Sequence, residues 1–260
     1  MCKECGCGLG GGDVKIGGHS HEHTHDHGHA HGHDHHHEHG HSHGGKTLSL
    51  NLSLMEKNNR LAERNRGFFR AKKLLVLNVV SSPGSGKTTF IRETAAKLAG
   101  KLRVGVIVGD LATDNDAARL RTAGIPVVQI TTGTVCHLDA DMVAKAAAQL
   151  DLDKLDVLVI ENVGNLVCPA DYDLGEDLRV VLLSVTEGED KPLKYPPMFH
   201  SAHVAVVTKS DMAAAAGFNR ELALQNLERV SHHARIFELS AKTGDGMKAW
   251  LDFLAEKRAA

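Results

Sequence analysis

The chain has 260 residues, with 30 Lys+Arg against 32 Asp+Glu and a formal net charge of -2. That near balance gives no electrostatic case for a nucleic-acid or anionic-membrane partner, and no apolar run approaches the roughly 18 residues that a membrane span requires. The start, Met1-Cys2-Lys3-Glu4-Cys5-Gly6-Cys7, lacks the apolar stretch of a secretory signal. A reducing cytoplasm is therefore expected, with the five Cys as thiols or metal ligands rather than disulfides.

Cys2, Cys5 and Cys7 place three thiols in six residues. Soft sulfur ligands suit Zn, Cu(I) or Ni. No fourth Cys or His follows at zinc-finger spacing, so a tetrahedral Zn site is either incomplete or completed by a backbone or terminal nitrogen. Mixed S/N ligation in a tight loop suits square-planar Ni(II). Residues 1–18 form this Cys segment and residues 19–45 a His-rich tract. The tract carries His19, His21, His23, His25, His27, His29, His31, His33, His35, His36, His37, His39, His41 and His43 among Gly, Ser, Thr, Ala and acids. Imidazoles at nearly every second position offer many labile sites for Ni, Zn, Co or Cu, which suits storage of several ions. Interspersed acids distinguish it from an affinity tag. Residues 1–45 are too poor in apolar side chains to bury a core and are expected to be disordered without metal.

Residues 46–73 read as an amphipathic lead-in helix, with Leu52, Leu54, Met55, Leu61, Phe68 and Phe69 as its apolar positions. Beyond it, residues 74–260 alternate. Apolar runs at Leu74–Val80, Val104–Val108, Val127–Ile130, Val157–Ile160, Val180–Val185 and Val204–Val207 predict buried strands. Thr89–Leu98, Ala117–Ala123, Asp139–Leu150, Arg220–Val230 and Met247–Lys257 predict helices. This order argues an α/β domain with a mostly parallel sheet flanked by helices.

The first strand runs into Ser81-Ser82-Pro83-Gly84-Ser85-Gly86-Lys87-Thr88-Thr89 and then a helix, the strand–loop–helix context of a P-loop. Gly84 and Gly86 let backbone N–H groups turn onto a phosphate, Ser85 and Thr89 flank them, and the helix dipole favours the anion. Lys87 would reach the β- and γ-phosphates and Thr88 would hold Mg²⁺. Ser81 stands where the motif usually opens with Gly. The strand Val157–Ile160 ends in Glu161-Asn162-Val163-Gly164, similar to the Asp-x-x-Gly of GTPases. Glu161 is a candidate for a Mg²⁺-bound water and Gly164 for a γ-phosphate contact. Asp110 ends another strand and is a second candidate carboxylate for Mg²⁺ or water, because ligands bind at the carboxyl ends of such strands. Thr208-Lys209-Ser210-Asp211 is close to Asn-Lys-x-Asp, the guanine signature. Asp211 can accept from N1–H and the 2-amino group, a donor pair that adenine lacks. Lys209 would lie along the base. Ser240-Ala241-Lys242 matches the element whose backbone contacts the guanine oxygen.

Cys136-His137 and Cys168 both follow strands expected to end on that edge, which puts two thiols and an imidazole beside the nucleotide. Two buried structural cysteines are the competing reading; the N-terminal metal segments favour the metal one.

Taken together, these segments resemble the hydrogenase nickel-incorporation GTPases, the HypB family. The resemblance rests on Met1-Cys2-x-x-Cys5-Gly6-Cys7, on Asn78 to Thr89 with Ser81 normal for that family, and on Gly109-Asp110 followed by Asn115-Asp116-Ala117-Ala118-Arg119. It continues through Cys136-His137-Leu138-Asp139-Ala140 and Glu161 to Pro169. It implies a P-loop fold and a slow GTP hydrolase using Lys87, Asp110 and Glu161, with Mg²⁺ at Thr88 and Asp110. It implies a high-affinity nickel site at Cys2, Cys5 and Cys7, and a second site for Ni²⁺ or Zn²⁺ at Cys136, His137 and Cys168. The implied partners are nickel ions, a nickel-transfer accessory protein, the [NiFe]-hydrogenase large subunit and a second copy of the chain bound with GTP. The His tract occurs in only some members and looks like a nickel reservoir. A passive metal buffer with a vestigial nucleotide fold, and a GTPase serving another nickel enzyme such as urease, are the alternatives.

Overall fold

A computed structural model describes residues 15–16 and 43–259, with side chains at Ile16 and from residue 53 onward. Cys2, Cys5, Cys7 and the tract from His19 to His41 lie outside the described residues. A short β1 (Lys15–Ile16) and a long α1 (His43–Ala71) come first. The apolar runs then form β2 (Leu75–Val80), β3 (Val104–Asp110), β4 (Val127–Thr131), β5 (Val157–Glu161), β6 (Leu178–Ser184) and β7 (Val204–Thr208), followed by β8 (Arg235–Glu238). Between and after them lie α2 (Lys87–Leu98), α3 (Asn115–Thr122), α4 (Ala140–Ala147), α5 (Lys191–Lys194), α6 (Pro196–His200), α7 (Arg220–Ser231) and α8 (Met247–Ala259).

The sheet order is β1-β4-β3-β5-β2-β6-β7-β8. All neighbours are parallel except β1, which runs antiparallel to β4. β2 sits between β5 and β6, the point where the chain switches sides of the sheet, so the loop after it opens into the crevice where such sheets bind ligands. Both faces of the sheet are covered, which explains why the strands read as unbroken apolar runs. Leu75, Leu77 and Val79 pack with Phe90 and Ile91 of α2 and with Trp250 and Phe253 of α8. Leu74 and Val76 face Phe69 of α1 and Val143 of α4 on the other side. Val80 joins Phe199 of α6 and Leu227 of α7.

Two boundaries differ from the sequence reading. Lys15–Ile16 is a strand, not part of a disordered segment; it pairs with Thr131 and Ile130, and Ile16 packs on the core. α1 starts at His43, before the tract was expected to end. Its buried face is also not the expected apolar set. Leu54 and Phe68 are exposed, while Asn58, Ala62, Asn65 and Phe69 are buried at helical spacing. The amides dock the helix. Asn58 donates to Asp173 O at 2.9 Å and accepts from Ala140 N–H at 2.9 Å. Asn65 donates to Ala140 O at 2.8 Å and Leu174 O at 3.1 Å. The approach is so close that a Cβ on Gly175, at φ +89, would lie 2.6 Å from Ala62 O.

Beneath α1 lies a buried ion pair, Glu176 with Arg179 at 3.0 Å. Its remaining valences are filled. Asn78 and Leu174 donate to Glu176, and Arg179 donates to the carbonyls of Ala170 and Tyr172. Burial opposes the Glu176 charge, but Arg179 and these donors hold its pKa below the ordinary value. Among the described residues no helix is long and apolar enough to cross a membrane.

Candidate nucleotide and metal site

Parallel register brings the loop-bearing strand ends together. Val79 lies opposite Glu161, Val80 opposite Val181, Ser184 opposite Thr208 and Val207 opposite Glu238. The loop between β2 and α2 therefore faces Glu161, Thr208 and the 239–242 segment along one edge. Gly84 and Gly86 adopt φ +74 and +99, left-handed values that let this loop wrap a small anion. Gly86 caps α2, whose first residues Lys87 and Thr88 are buried.

Lys87 Nζ donates to Ser81 Oγ at 3.0 Å, and Ser85 Oγ bonds the same hydroxyl. Ser81 thus supplies an acceptor where the usual Gly has none. Burial lowers the Lys87 pKa, opposed mainly by the charge of Glu161. Thr88 Oγ1 donates to Glu161 Oε1 at 2.7 Å. Asp110 Oδ1 accepts from the backbone N–H groups of Ala112 and Thr113 at 2.9 and 3.0 Å, which ties the loop after β3. Gly164 lies against the phosphate loop, since a Cβ there would sit 3.1 Å from Pro83.

Glu161 is almost wholly buried, and its Oε2 has no hydrogen-bond partner. Burial, reinforced by Asp116 and Asp110, raises its pKa from the ordinary 4.5 to about 7 against the bond from Thr88 and the charge of Lys87. A carboxylate so placed is poised for a cation. A folded-state pKa above the unfolded value favours folding at low pH and loses that contribution as pH rises through the folded pKa. Nucleotide- and metal-free protein is therefore expected to lose about 2–3 kcal/mol of stability between about pH 4.5 and 8 through this one group. In Glu161→Gln that loss should vanish, giving a higher Tm than the parent at pH 8 but not at pH 4.5. Parallel melting curves for the two proteins across this range would contradict the assignment.

The segment after β7 is braced on the phosphate loop. Thr208 Oγ1 donates to Ser85 O at 3.0 Å and Lys209 Nζ to Gly84 O at 2.7 Å. Thr208, in place of the signature Asn, still fixes the loop because the contact needs only one donor. Lys209 takes a left-handed φ of 58, which turns the chain so that Asp211 Oδ1 meets Ser240 Oγ at 2.6 Å. Ala241 and Lys242 follow directly in the turn after Ser240.

Cys136, His137 and Cys168 meet beside this edge, with all their ligand atoms within 4.8 Å of one another. The two sulfurs lie 2.9 Å apart and are not bonded to each other as a disulfide. His137 is buried and stacked on Tyr172 with ring centroids 3.9 Å apart, and its Nδ1 has no hydrogen-bond partner. Burial lowers the His137 pKa and so favours the neutral imidazole that ligates metal. Two soft sulfurs and one imidazole suit Ni²⁺ or Zn²⁺ and leave a coordination position to another donor.

A polar chain joins the two sites. Asn162, next to Glu161, donates to Asn78 of β2 at 3.2 Å and accepts from the N–H of Leu138, next to His137, at 3.4 Å. Asn165 donates to Cys136 O at 3.2 Å. Residues 161–168 thus run from the phosphate loop to the sulfurs. Sequence reading missed several contributors. Asn162 and Asn165 lay inside the family-like stretch but had no assigned part, and Asp116 bears on both Lys87 and Glu161. Glu187, three residues beyond β6, is a further acidic group at this edge that no sequence motif singles out. It lies half-buried beside Ser82, Lys191, Lys209 and Lys87, with its pKa raised by burial. Its one signal was position after a strand ending on the same edge.

The fold and this edge define a P-loop nucleotide-binding protein. The family described as CobW/HypB/UreG, nucleotide-binding domain, matches residues 75–238. The chain is 51% identical over 215 residues to the hydrogenase maturation factor HypB of Escherichia coli K12, covering 83% of this chain and 74% of that protein. The crystal structure of HypB from Helicobacter pylori in complex with nickel is similar at TM-score 0.75 and 42% identity, over 78% of this chain and 95% of that one. HypB from Archaeoglobus fulgidus is similar at TM-score 0.73 and 39% identity, over 78% and 99%. The chain belongs to the CobW/HypB/UreG family, among its HypB hydrogenase maturation factors.

Proposed function

We propose that this chain is a nickel-binding GTPase that stores nickel and delivers it, with GTP hydrolysis, during [NiFe]-hydrogenase maturation. The observation that carries the reading is the direct connection, through residues 161–168, between the phosphate loop and the Cys136–His137–Cys168 cluster. Gly84, Ser85, Gly86, Lys87, Thr88 and Thr89 cradle the phosphates, with Gly164 at the γ-phosphate. Thr88 and Asp110 would hold Mg²⁺, which would offset phosphate charge, and Glu161 would position the attacking water. Thr208, Lys209, Asp211, Ser240, Ala241 and Lys242 read guanine. Cys136, His137 and Cys168 take nickel, or zinc in its place. A second copy docks in the GTP state, with this metal cluster near the interface. Cys2, Cys5 and Cys7 form the tighter nickel site, and the tract from His19 to His43 is the reservoir. The recipients are a nickel-transfer accessory protein and the hydrogenase large subunit, in the cytoplasm.

Removing residues 19–42, which spares both β1 and α1, should lower the number of nickel ions bound and leave GTP turnover within about twofold, because the reservoir rests on independent labile imidazoles. Equilibrium dialysis and phosphate release read the two quantities. An unchanged nickel count, or loss of turnover with the fold intact, would overturn the storage role.

A further inference from the structure

Among the described residues, two that are not glycine take a left-handed φ, Lys209 at 58 and Lys73 at 55. Lys209 turns the chain at the nucleotide edge. Lys73 closes α1. Its N–H donates to Arg70 O at 2.9 Å and the Leu74 N–H to Phe69 O at 3.0 Å, a helix end that ordinarily takes glycine at this position. The chain beyond α2 and α3 does turn on glycine, at Gly100 with φ +83 and Gly124 with φ +74. A lysine at such a turn strains the backbone where glycine would not, so the gain has to come from its side chain.

Lys73 lines an open cleft of about 590 Å³ together with Arg70, Lys257 and Arg258, where the ends of α1 and α8 meet the starts of β2 and β6. β2 and β6 are parallel and their carboxyl ends form the nucleotide edge, so the cleft lies at the opposite edge. Leucines form its apolar wall, and its one carboxylate is Asp177. That carboxylate is already engaged. Oδ2 accepts from Val76 N–H at 2.9 Å, and Oδ1 lies 3.8 Å from Arg70 Nε. Lys73 and Lys257 form no ion pair among the described residues. Arg258 Nε is buried without a hydrogen-bond partner, and its Nη2 lies 3.6 Å from Asp156, a carboxylate that Arg103 holds at 2.9 Å. Arg70, Lys257 and Arg258 stand in the last turns of their helices, where the dipole also favours a cation. Lys73 lies beyond its helix and faces the same cleft at the cost of a strained backbone.

We infer that Arg70, Lys73, Lys257 and Arg258 form a binding site for a small oxyanion of two or more negative charges, at the edge of the sheet opposite the nucleotide. Guanidiniums offer planar forks that match phosphate and carboxylate oxygens, and ammoniums add point charges. The leucine wall leaves room for a carbon body on the anion. The site stands apart from the nucleotide and the metal cluster and does not depend on the proposed delivery role.

Lysine acetylation of the full chain by an N-hydroxysuccinimide ester, read peptide by peptide in a mass spectrometer, tests the cleft separately from the phosphate loop. At about ten times the dissociation constant that the titration gives, inorganic pyrophosphate should slow acetylation of Lys73 and Lys257 about tenfold, because only the unoccupied fraction reacts. Tricarballylate is titrated in parallel. Protection by either anion supports the site, and the stronger of the two identifies phosphate or carboxylate as the preferred group. Lys248, exposed at the other end of α8, should react as before, and chloride at matched ionic strength should protect neither lysine. Lys73→Gly should abolish the protection of Lys257 and raise the Tm by about 2–4 °C, because glycine relieves the left-handed turn. Arg258→Gln, which leaves that turn alone, should abolish the protection of Lys73. Acetylation indifferent to both anions, equal protection by chloride or at Lys248, or protection that survives both substitutions would overturn the site. A lower Tm in Lys73→Gly would show that Lys73 serves the fold and would overturn it as well.

Discussion

Lys87→Met should lower kcat/KM for GTP by about a hundred- to a thousandfold, the usual cost of removing one preorganised donor to transition-state charge. The ammonium is held at the phosphate loop by Ser81, with Ser85 bonded to the same hydroxyl. Burial lowers its pKa, and a charge partly stripped of water interacts strongly with a phosphate that approaches it. Methionine keeps most of the volume and removes the charge, so the fold should persist, as circular dichroism would verify. Phosphate release measured against GTP concentration reads the effect. A loss smaller than tenfold would mean that Lys87 does not contact the transferred phosphate.

Asp211→Asn should weaken GTP about ten- to a hundredfold, as expected for loss of a charge-assisted bond of 1.5–3 kcal/mol. It should improve xanthosine triphosphate in return. Xanthine carries a carbonyl where guanine carries its 2-amino group, so the asparagine amide can donate where the carboxylate accepts. Ser240 Oγ, 2.6 Å from Asp211 Oδ1, fixes the plane of the group and should orient the amide in the same way. Competition of GTP, ATP and XTP against a fluorescent nucleotide would settle the matter. An unchanged preference for GTP over both would show that the base is read elsewhere.

Much of this was legible because the chemistry imposes order on the chain. A strand buried on both faces must be apolar throughout, so β2 to β7 announce themselves, and a phosphate loop must follow a strand and open a helix. β8 did not, because only Ile236 and Phe237 of its four residues are apolar, and it closes the sheet at an edge. α5 and α6 are short, and Pro192, Pro196 and Pro197 sit at their starts, where a missing N–H costs nothing but the sequence reads as loop.

The docking of α1 was illegible for a different reason. Asn58 and Asn65 look like solvent-facing residues until the carbonyls of Asp173, Ala140 and Leu174 are placed against them. Likewise nothing in the spacing of Glu176 and Arg179, three apart, shows that both are buried under the helix. The metal cluster was readable as a set of residue types. Its link to the nucleotide edge was not, since Asn162 and Asn165 act through backbone groups of residues far away in sequence.

Nucleotide state and metal affinity are expected to be coupled through residues 161–168. Nickel titration of a variant with Cys2, Cys5 and Cys7 replaced by Ser and residues 19–42 removed reads the Cys136–His137–Cys168 cluster without the N-terminal ligands while keeping the β1 pairing with β4. Titrations in GDP and in a non-hydrolysable GTP analogue should give affinities that differ about 5- to 150-fold, the 1–3 kcal/mol of a working switch. Linkage requires nickel to change the preference for the two nucleotides by the same factor. Equal nickel affinities in the two states would contradict the coupling and leave the cluster a static site.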